Sequence, residues 1–377
     1  MKPDVLLFNW MDIKNPNAGG QEKYCFEIAK RLARDGFSVI WITSRFKGGG
    51  RSETYDGINV IRVGNIYTVY VLSFLKYLKY RKADFVFVSI NAIPFLVPLH
   101  RNRRIVMVHH RIDYKVMKAK IGFLGIVSLL LQEYFNPTIY GRDLVITNSE
   151  SSRKDLMSMG YRNVNVVKLG VDPPRITRCP KENLIISPGP VKPWKHHDLA
   201  IEAFSVIENS WKLVIFGSFK SEEYRNHLEE LTKELKISER VYFTGRISDD
   251  EVRKIYQKSK ICLLATEKEG WGLVAMEAQS FGSPVVAFDV PGIKDSVVDG
   301  KTGILVRFGD IAAMKDALKR ITSDENLLRE LSSACIRRSK EYDWELCYDD
   351  FRNELQKLGI SFCTFPAKLD EQTMRKR

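Results

Sequence analysis

Residues 183–218 read NLIISPGPVKPWKHHDLAIEAFSVIENSWKLVIFGS: an apolar run, a loop through Gly189, Pro190 and Pro193, a helix-like segment, then a second apolar run. Strand, crossover helix, strand is the unit of a parallel sheet covered by helices. The same alternation extends both ways. Upstream lie VLLFN, SVIWIT, ADFVFVSI, RIVMVHH and DLVITNS; downstream lie RVYFTG, ICLLAT and PVVAFD. After the first of these, EKYCFEIAKRLARDG sets Cys25, Ile28, Ala29 and Leu32 at helical spacing. The pattern breaks at VKLGVDPPRITRCP, where Pro173, Pro174 and Pro180 interrupt any period. We therefore expect an α/β chain of two doubly wound, Rossmann-like parallel-sheet domains: residues 1–172, a linker over 173–181, and residues 182–340. Such sheets hold ligands at the carboxyl ends of their strands, so facing domains would place a site in a cleft. From residue 361 the sequence SFCTFPAKLDEQTMRKR has no period and reads as a loose tail.

Length and composition agree. A chain of 377 residues exceeds what one hydrophobic core organises, and 44% hydrophobic with 28% charged residues excludes disorder and fibre. The six cysteines show no CxxC pair and no metal-like spacing with histidine, as expected of reduced thiols in a cytoplasmic protein. MKPDVLLFNWMDIKNP has too short an apolar run for a secretory signal and reads as a first buried strand. The longest apolar stretch, Ile121 to Leu131, is about half of the ~20 residues a membrane span needs, so no transmembrane helix is expected.

The net charge of +13 is unevenly placed. Residues 1–172 hold 26 Lys/Arg against 14 Asp/Glu, whereas the remainder holds 33 against 32. The excess gathers in KYLKYRK (76–82) and in Arg101, Arg103, Arg104, Arg111, Lys115, Lys118 and Lys120 ahead of IGFLGIVSLLL. Basic residues beside an apolar stripe suit an anionic membrane surface or an acidic partner; a solvated face over a buried helix fits the same pattern. Nucleic acid is a third reading of the charge, but no RNP, KH or zinc-finger pattern accompanies it, and no nucleic-acid partner is expected.

Four segments could carry chemistry. Gly19 and Gly20 follow the first strand and open a helix, where backbone N–H groups can approach a phosphate; the spacing lacks the GxGxxG of a dinucleotide site. His109 and His110 end the strand RIVMVHH, where an imidazole can hold a hydroxyl or steady a reacting group, or be polar surface. Lys195 sits on a loop before a helix, where its charge could meet a departing diphosphate; a solvated lysine is the plain alternative. Glu269 and Glu277 flank the turn Gly270-Trp271-Gly272 and a helix start. Both carboxylates can face one cleft, and the amides of Trp271, Gly272 and Leu273 between them suit an anion. Glycoside hydrolysis would also use paired carboxylates, but in a geometry that sequence does not display.

Taken in order, GGQEKYCFEIAKRLARDGFSV, the strand-end HH, ITNSESSRKDLMSMG with NVNVVKLGVD, GPVKPWKHHDLAIEAF and EGWGLVAMEAQSFGSPVVAFDVPGIKDSVVDGKTGILV resemble the retaining nucleotide-sugar glycosyltransferases of family 4, the glycosyl transferases group 1, with the GT-B fold. The resemblance runs from about residue 5 to 358. It implies that Glu277 binds the ribose of a donor nucleotide, Glu269 the hydroxyls of the transferred sugar, and Lys195 the diphosphate. Gly20 would abut the phosphates, and His109, with His110 as runner-up, would touch the donor sugar near the reacting carbon. Residues 341–360, with Leu346 and Phe351 on a helix announced by Tyr342 and Trp344, would return to an acceptor-side N-terminal domain. One position departs from the family pattern: Pro190 stands five residues before Lys195 where an arginine is usual, removing half of the expected clamp, with Lys192 nearby.

The resemblance implies transfer of a hexose from a nucleotide diphosphate sugar to an acceptor hydroxyl with retention, the departing phosphate helping to deprotonate the acceptor. The chain contains no DxD triplet, so no metal is expected to hold the diphosphate. The basic first half points to a lipid-linked, glycan or otherwise anionic acceptor, and to a cytoplasmic protein peripheral on the inner face of the membrane. Two other readings share the fold: a nucleotide-sugar 2-epimerase, which needs no acceptor, and a catalytically silent sugar-nucleotide-binding subunit of a glycan-assembly complex.

Overall fold

The computed structural model describes residues 2–90, 93–95, 97, 104–108, 130–172 and 180–362. Contacts divide the chain into two units. The first comprises residues up to Thr147, Leu156–Val167 and the chain from Tyr348; the second comprises Asn148–Asp155 and Lys168–Cys347.

In the first unit the strands are β1 (Val5–Phe8), β2 (Val39–Thr43), β3 (Ser52–Tyr55), β4 (Ile58–Arg62), β5 (Phe85–Ile90), β6 (Arg104–Val108), β7 (Leu144–Thr147) and β8 (Val164–Val166). They form one sheet in the order β3-β4-β2-β1-β5-β6-β7-β8. VLLF, VIWIT and FVFVSI are buried on both faces, which is why they read as unbroken apolar runs. Only β3 runs antiparallel to its neighbour, and its alternating burial and polar residues blunt the sheet edge. The β3–β4 hairpin was absent from the sequence reading. Its turn residues Asp56 and Gly57 both have positive φ, +47° and +76°, the requirement of the two-residue turn that Asp-Gly announces. Along this part of the chain run helices α1 (Gly20–Arg34), α2 (Val69–Tyr80), α3 (Asn136–Tyr140) and α4 (Glu150–Ser158).

The second unit holds β9 (Leu184–Pro188), β10 (Lys212–Phe216), β11 (Val241–Gly245), β12 (Ile261–Leu264), β13 (Val285–Phe288) and β14 (Gly303–Val306), all parallel, in the order β11-β10-β9-β12-β13-β14. This is the strand order of a dinucleotide-binding sheet, reversing direction between β9 and β12. Its helices are α5 (His197–Phe204), α6 (Glu222–Glu234), α7 (Asp249–Lys258), α8 (Leu273–Ser280), α9 (Ile293–Ser296), α10 (Ile311–Ser323) and α11 (Glu325–Ser339). A further helix, α12 (Trp344–Lys357), begins among second-unit residues and from Tyr348 onward is grouped with the first. Phe351 there packs on Phe87 with ring centroids 5.5 Å apart, and Tyr348 donates to Asp35 at 2.9 Å.

The boundaries differ from those expected from the prolines, most of which lie outside the described residues. Lys168 already belongs to the second unit. So does the stretch 148–155, because Ser149 Oγ donates to the Gly270 carbonyl at 3.4 Å and Ser151 Oγ to the Asp295 carboxylate. The expected tail is also corrected at its start: Phe362 packs on Phe37 at 5.1 Å with the Arg352 guanidinium 4.7 Å from its ring. Among the described residues no helix is long and apolar enough to cross a membrane, and four cysteines are free and buried.

A buried ion pair anchors the first unit. Arg62, the last residue of β4, donates to both Asp12 oxygens at 2.7 and 3.0 Å, and further to the Gly50 carbonyl and Glu53 at 3.0 Å. Both the Arg62 and Asp12 side chains are fully buried. The fork geometry satisfies charges that would otherwise be stranded. Replacing Asp12 with Ala should cost about 3–5 kcal/mol in denaturant unfolding, whereas the apolar pair Asp12→Leu/Arg62→Met should recover most of it. Equal stability of the single and double variants would contradict this account.

In the second unit His197 opens α5, buried, with Nδ1 3.1 Å from Ser187 Oγ on β9. Burial, then the nearby Lys195 charge, lowers its pKa from 6.5 to about 4. Between those values the unfolded chain holds a proton that the folded chain refuses. Stability should therefore fall as pH drops from 6.5 towards 4, by about 3 kcal/mol in all, and His197→Gln should flatten that slope in urea titrations.

Candidate functional site

Strands β9 and β12 pair at only two positions, Ile261 with Ile185 and Cys262 with Ile186. Beyond them the two strands lead to opposite halves of the sheet, β9 to β10 and β12 to β13, leaving a crevice at their carboxyl ends. The loops that follow carry Lys195 and Glu269. Lys195 ends the short turn Pro193–Lys195, whose proline presets the backbone. Its Nζ donates to Glu269 Oε1, and both side chains are about one-fifth exposed. Two residues 74 positions apart thus meet in one partly exposed ion pair.

The Glu269 loop is held from behind. Its N–H donates to the Pro291 carbonyl at 3.2 Å, and Gly292, at φ +85°, passes so close that a Cβ would lie 2.2 Å from the Glu269 carbonyl oxygen. Only glycine fits there. The Gly292 N–H donates to Asp295 at 3.2 Å, the carboxylate that also receives Ser151. Trp271 is buried against Tyr342, with centroids 5.2 Å apart. Gly272 is the N-cap of α8 and no side chain caps that helix; the N–H groups of Ala275 and Met276 donate to the Gly272 carbonyl at 2.9 and 3.2 Å, and ahead of them stand the amides of Leu273 and Val274, which an α-helix does not pair internally. Glu277 lies in the second turn of α8 and accepts from Tyr256 Oη at 3.2 Å. Tyr256 is buried, its ring 5.6 Å from Phe281, and burial together with Glu277 holds its hydroxyl protonated. Tyr256 was missed by sequence reading; on α7 it looked like any apolar-face residue.

Gly19 and Gly20 belong to the first unit, at the point where its strand order reverses between β1 and β5. Both are exposed, and Gly19 is extended at φ −135°, a conformation open to any residue. What holds this turn is Glu22, which sequence reading passed over although it stands three residues after the N-cap. It accepts from the Gly19 N–H at 2.8 Å, Trp10 Nε1 at 2.9 Å and Asn9 Nδ2 at 3.4 Å. Burial pushes its carboxyl up, against those hydrogen bonds. Gln21 ties the same turn to Ser89 on β5 at 2.6 Å. His109 and His110 lie outside the described residues. Pro190 follows Gly189 at the end of β9, and Lys192 Nζ lies 5.1 Å over the Trp194 ring. Among the described residues no cluster of His, Cys, Asp and Glu could hold a metal.

Two family models match consecutive parts of the chain: Glycosyltransferase Family 4 over residues 18–175 and Glycosyl transferases group 1 over residues 173–341. A D-inositol 3-phosphate glycosyltransferase of Corynebacterium diphtheriae is 36% identical over 118 residues, 31% of this chain and 28% of that protein. The chain spans only 28–38% of the length of the first such relatives. Among solved structures, sucrose-phosphate synthase from Thermosynechococcus elongatus superposes with a TM-score of 0.78 at 19% identity, covering 95% of this chain and 99% of that one. Anabaena HepE in complex with UDP-glucose gives 0.74 at 15% identity, covering 94% and 99%. With two parallel-sheet units of this topology and adjoining models that together take in most of its length, the chain belongs to the group 1 glycosyltransferases and has the GT-B fold.

Proposed function

We propose that this chain transfers a hexose from a nucleotide diphosphate sugar to an acceptor hydroxyl with retention at the anomeric carbon. The observation that carries the reading is the Lys195–Glu269 pair at the sheet's reversal point, beside the uncapped start of α8. A diphosphate entering there would take the lysine from Glu269, leaving that carboxylate to accept from sugar hydroxyls. The amides near Trp271, Gly272 and Leu273 would meet the phosphates, and Glu277, oriented by Tyr256, would accept from the ribose. Gly19 and Gly20 would abut the phosphates, and His109, or His110 as the alternative, would touch the donor sugar near the reacting carbon.

In this reading the bond from the anomeric carbon to the phosphate oxygen breaks while a bond to the acceptor oxygen forms on the same face. The acceptor proton passes to the departing phosphate, so no side-chain nucleophile is required. Charge on the leaving group is met by Lys195 and helix amides rather than by a metal. The acceptor we propose is a glycan or lipid-linked hydroxyl at the cytoplasmic face of the membrane. Pro190 favours a second reading, a subunit that binds the donor without turning it over.

Calorimetry of the full chain against UDP-, GDP- and ADP-sugars in EDTA tests the donor site. One donor should bind, Glu277→Ala should weaken it by about 1.5–3 kcal/mol, and Lys195→Ala should weaken it similarly, each removing a charged hydrogen-bond partner. No binding to any donor by folded protein would sink the proposal. Donor binding without transfer to any acceptor would favour the silent subunit, and conversion of donor without acceptor the epimerase.

A further inference from the structure

Helix α2 is apolar on both of its faces. It buries Val69, Tyr70, Ser73 and Tyr77 in the first unit. The opposite face presents Val71, Leu75 and Leu78, at the i, i+4, i+7 spacing of a helical stripe, with Tyr67 one turn before. These side chains are 64%, 62%, 40% and 66% exposed. A helix lying on a globular core normally turns charged and polar residues outward on that face. Here the charges stand at its end and edge instead: Lys76, Lys79, Arg81 and Lys82, with no acidic residue anywhere from Gly57 to Ala83. The same unit exposes a second apolar set, Leu130, Tyr134 and Phe135, around the turn Leu131–Phe135.

We infer that the outer face of α2 docks the chain on an anionic lipid bilayer. The valine and leucines enter the acyl boundary, while long lysine side chains lay their methylenes along it and keep their ammonium groups among the headgroup phosphates. Tyr67 supplies a ring with a polar tip, which suits the same depth. A bilayer fits this face better than a protein because every charged residue from Gly57 to Ala83 is a cation, and an anionic headgroup layer neutralises those beside the stripe at once. This adds to the proposed function a place where a lipid-linked acceptor would be met, but docking stands independently of the donor site.

The test is cosedimentation of the full chain with phosphatidylglycerol-rich and phosphatidylcholine vesicles at low and high salt. Wild type should partition onto the anionic vesicles and be released by salt. Val71→Ser/Leu75→Ser/Leu78→Ser should reduce binding by about tenfold or more, and Lys76→Gln, Lys79→Gln and Lys82→Gln by about fivefold for each charge removed at low salt. All these positions are at least partly exposed, so thermal unfolding should barely change and serves as the folding control, with donor calorimetry reporting separately on the cleft residues. Equal binding of wild type and serine variant would overturn the inference, as would failure of wild type to bind either vesicle. So would a dimer in solution that the serine variant dissociates, which would make this face a protein interface.

Discussion

The two-residue pairing of β9 with β12 is the constraint from which the second unit's chemistry follows. A parallel sheet must cover both faces with crossover helices, and where the chain stops adding strands on one side and starts on the other, neighbouring strand ends lead into diverging loops. Lys195 and Glu269 stand on those two loops. Neither loop could satisfy its charged residue alone at this degree of burial, so each supplies the counter-ion of the other. Around the pair, the Glu269 loop is held by the close backbone approach at Gly292, whose N–H and Ser151 Oγ both donate to the Asp295 carboxylate, and by Ser149 Oγ on the Gly270 carbonyl.

The first unit solves a related problem with charges that are wholly enclosed. Asp12 and Arg62 have no water to fall back on, and their bidentate bond makes the β3–β4 hairpin and the loop after β1 a single construction. Glu22 is different in kind. Its carboxyl collects donors from Trp10, Asn9 and the Gly19 backbone, while burial pushes its pKa up against them. A turn organised in this way keeps its shape without needing glycine's freedom at Gly19, whose backbone is extended and where a Cβ would lie in ordinary contact, 3.7 Å from Glu22 Oε2.

Buried parallel strands were legible because burial on both faces leaves unbroken apolar runs, as in VLLFN, SVIWIT and ADFVFVSI, which are β1, β2 and β5. β3 and β4 escaped because their burial alternates, although Asp56-Gly57 announced the turn between them, and the short strands β8 and β14 escaped as well. Lys195, Glu269 and Glu277 were legible as residue types at loop and helix starts. Their supports were not: Tyr256 meets Glu277 across 21 residues, and Ser151 meets Asp295 across 144, distances over which periodicity carries no information. Asp12 and Arg62 were invisible for the same reason, since a buried charge looks like a surface charge until its partner is known.

Pro190 has to be weighed against this geometry rather than against a pattern alone. A clamp of two cations would bring more positive charge than Glu269 can neutralise in the empty crevice. With one cation, Lys195 and Glu269 balance each other, and under the proposed reading a diphosphate would bring more charge than Lys195 alone could meet. Under that reading the remaining stabilisation would come from dipoles already fixed in place, the amides at the start of α8 among them, which need no counter-ion and no reorganisation. A site built this way depends more on the position of one helix start than on a second flexible side chain. The close approach of Gly292 to Glu269 and the burial of Trp271 on Tyr342 are the features that set that position.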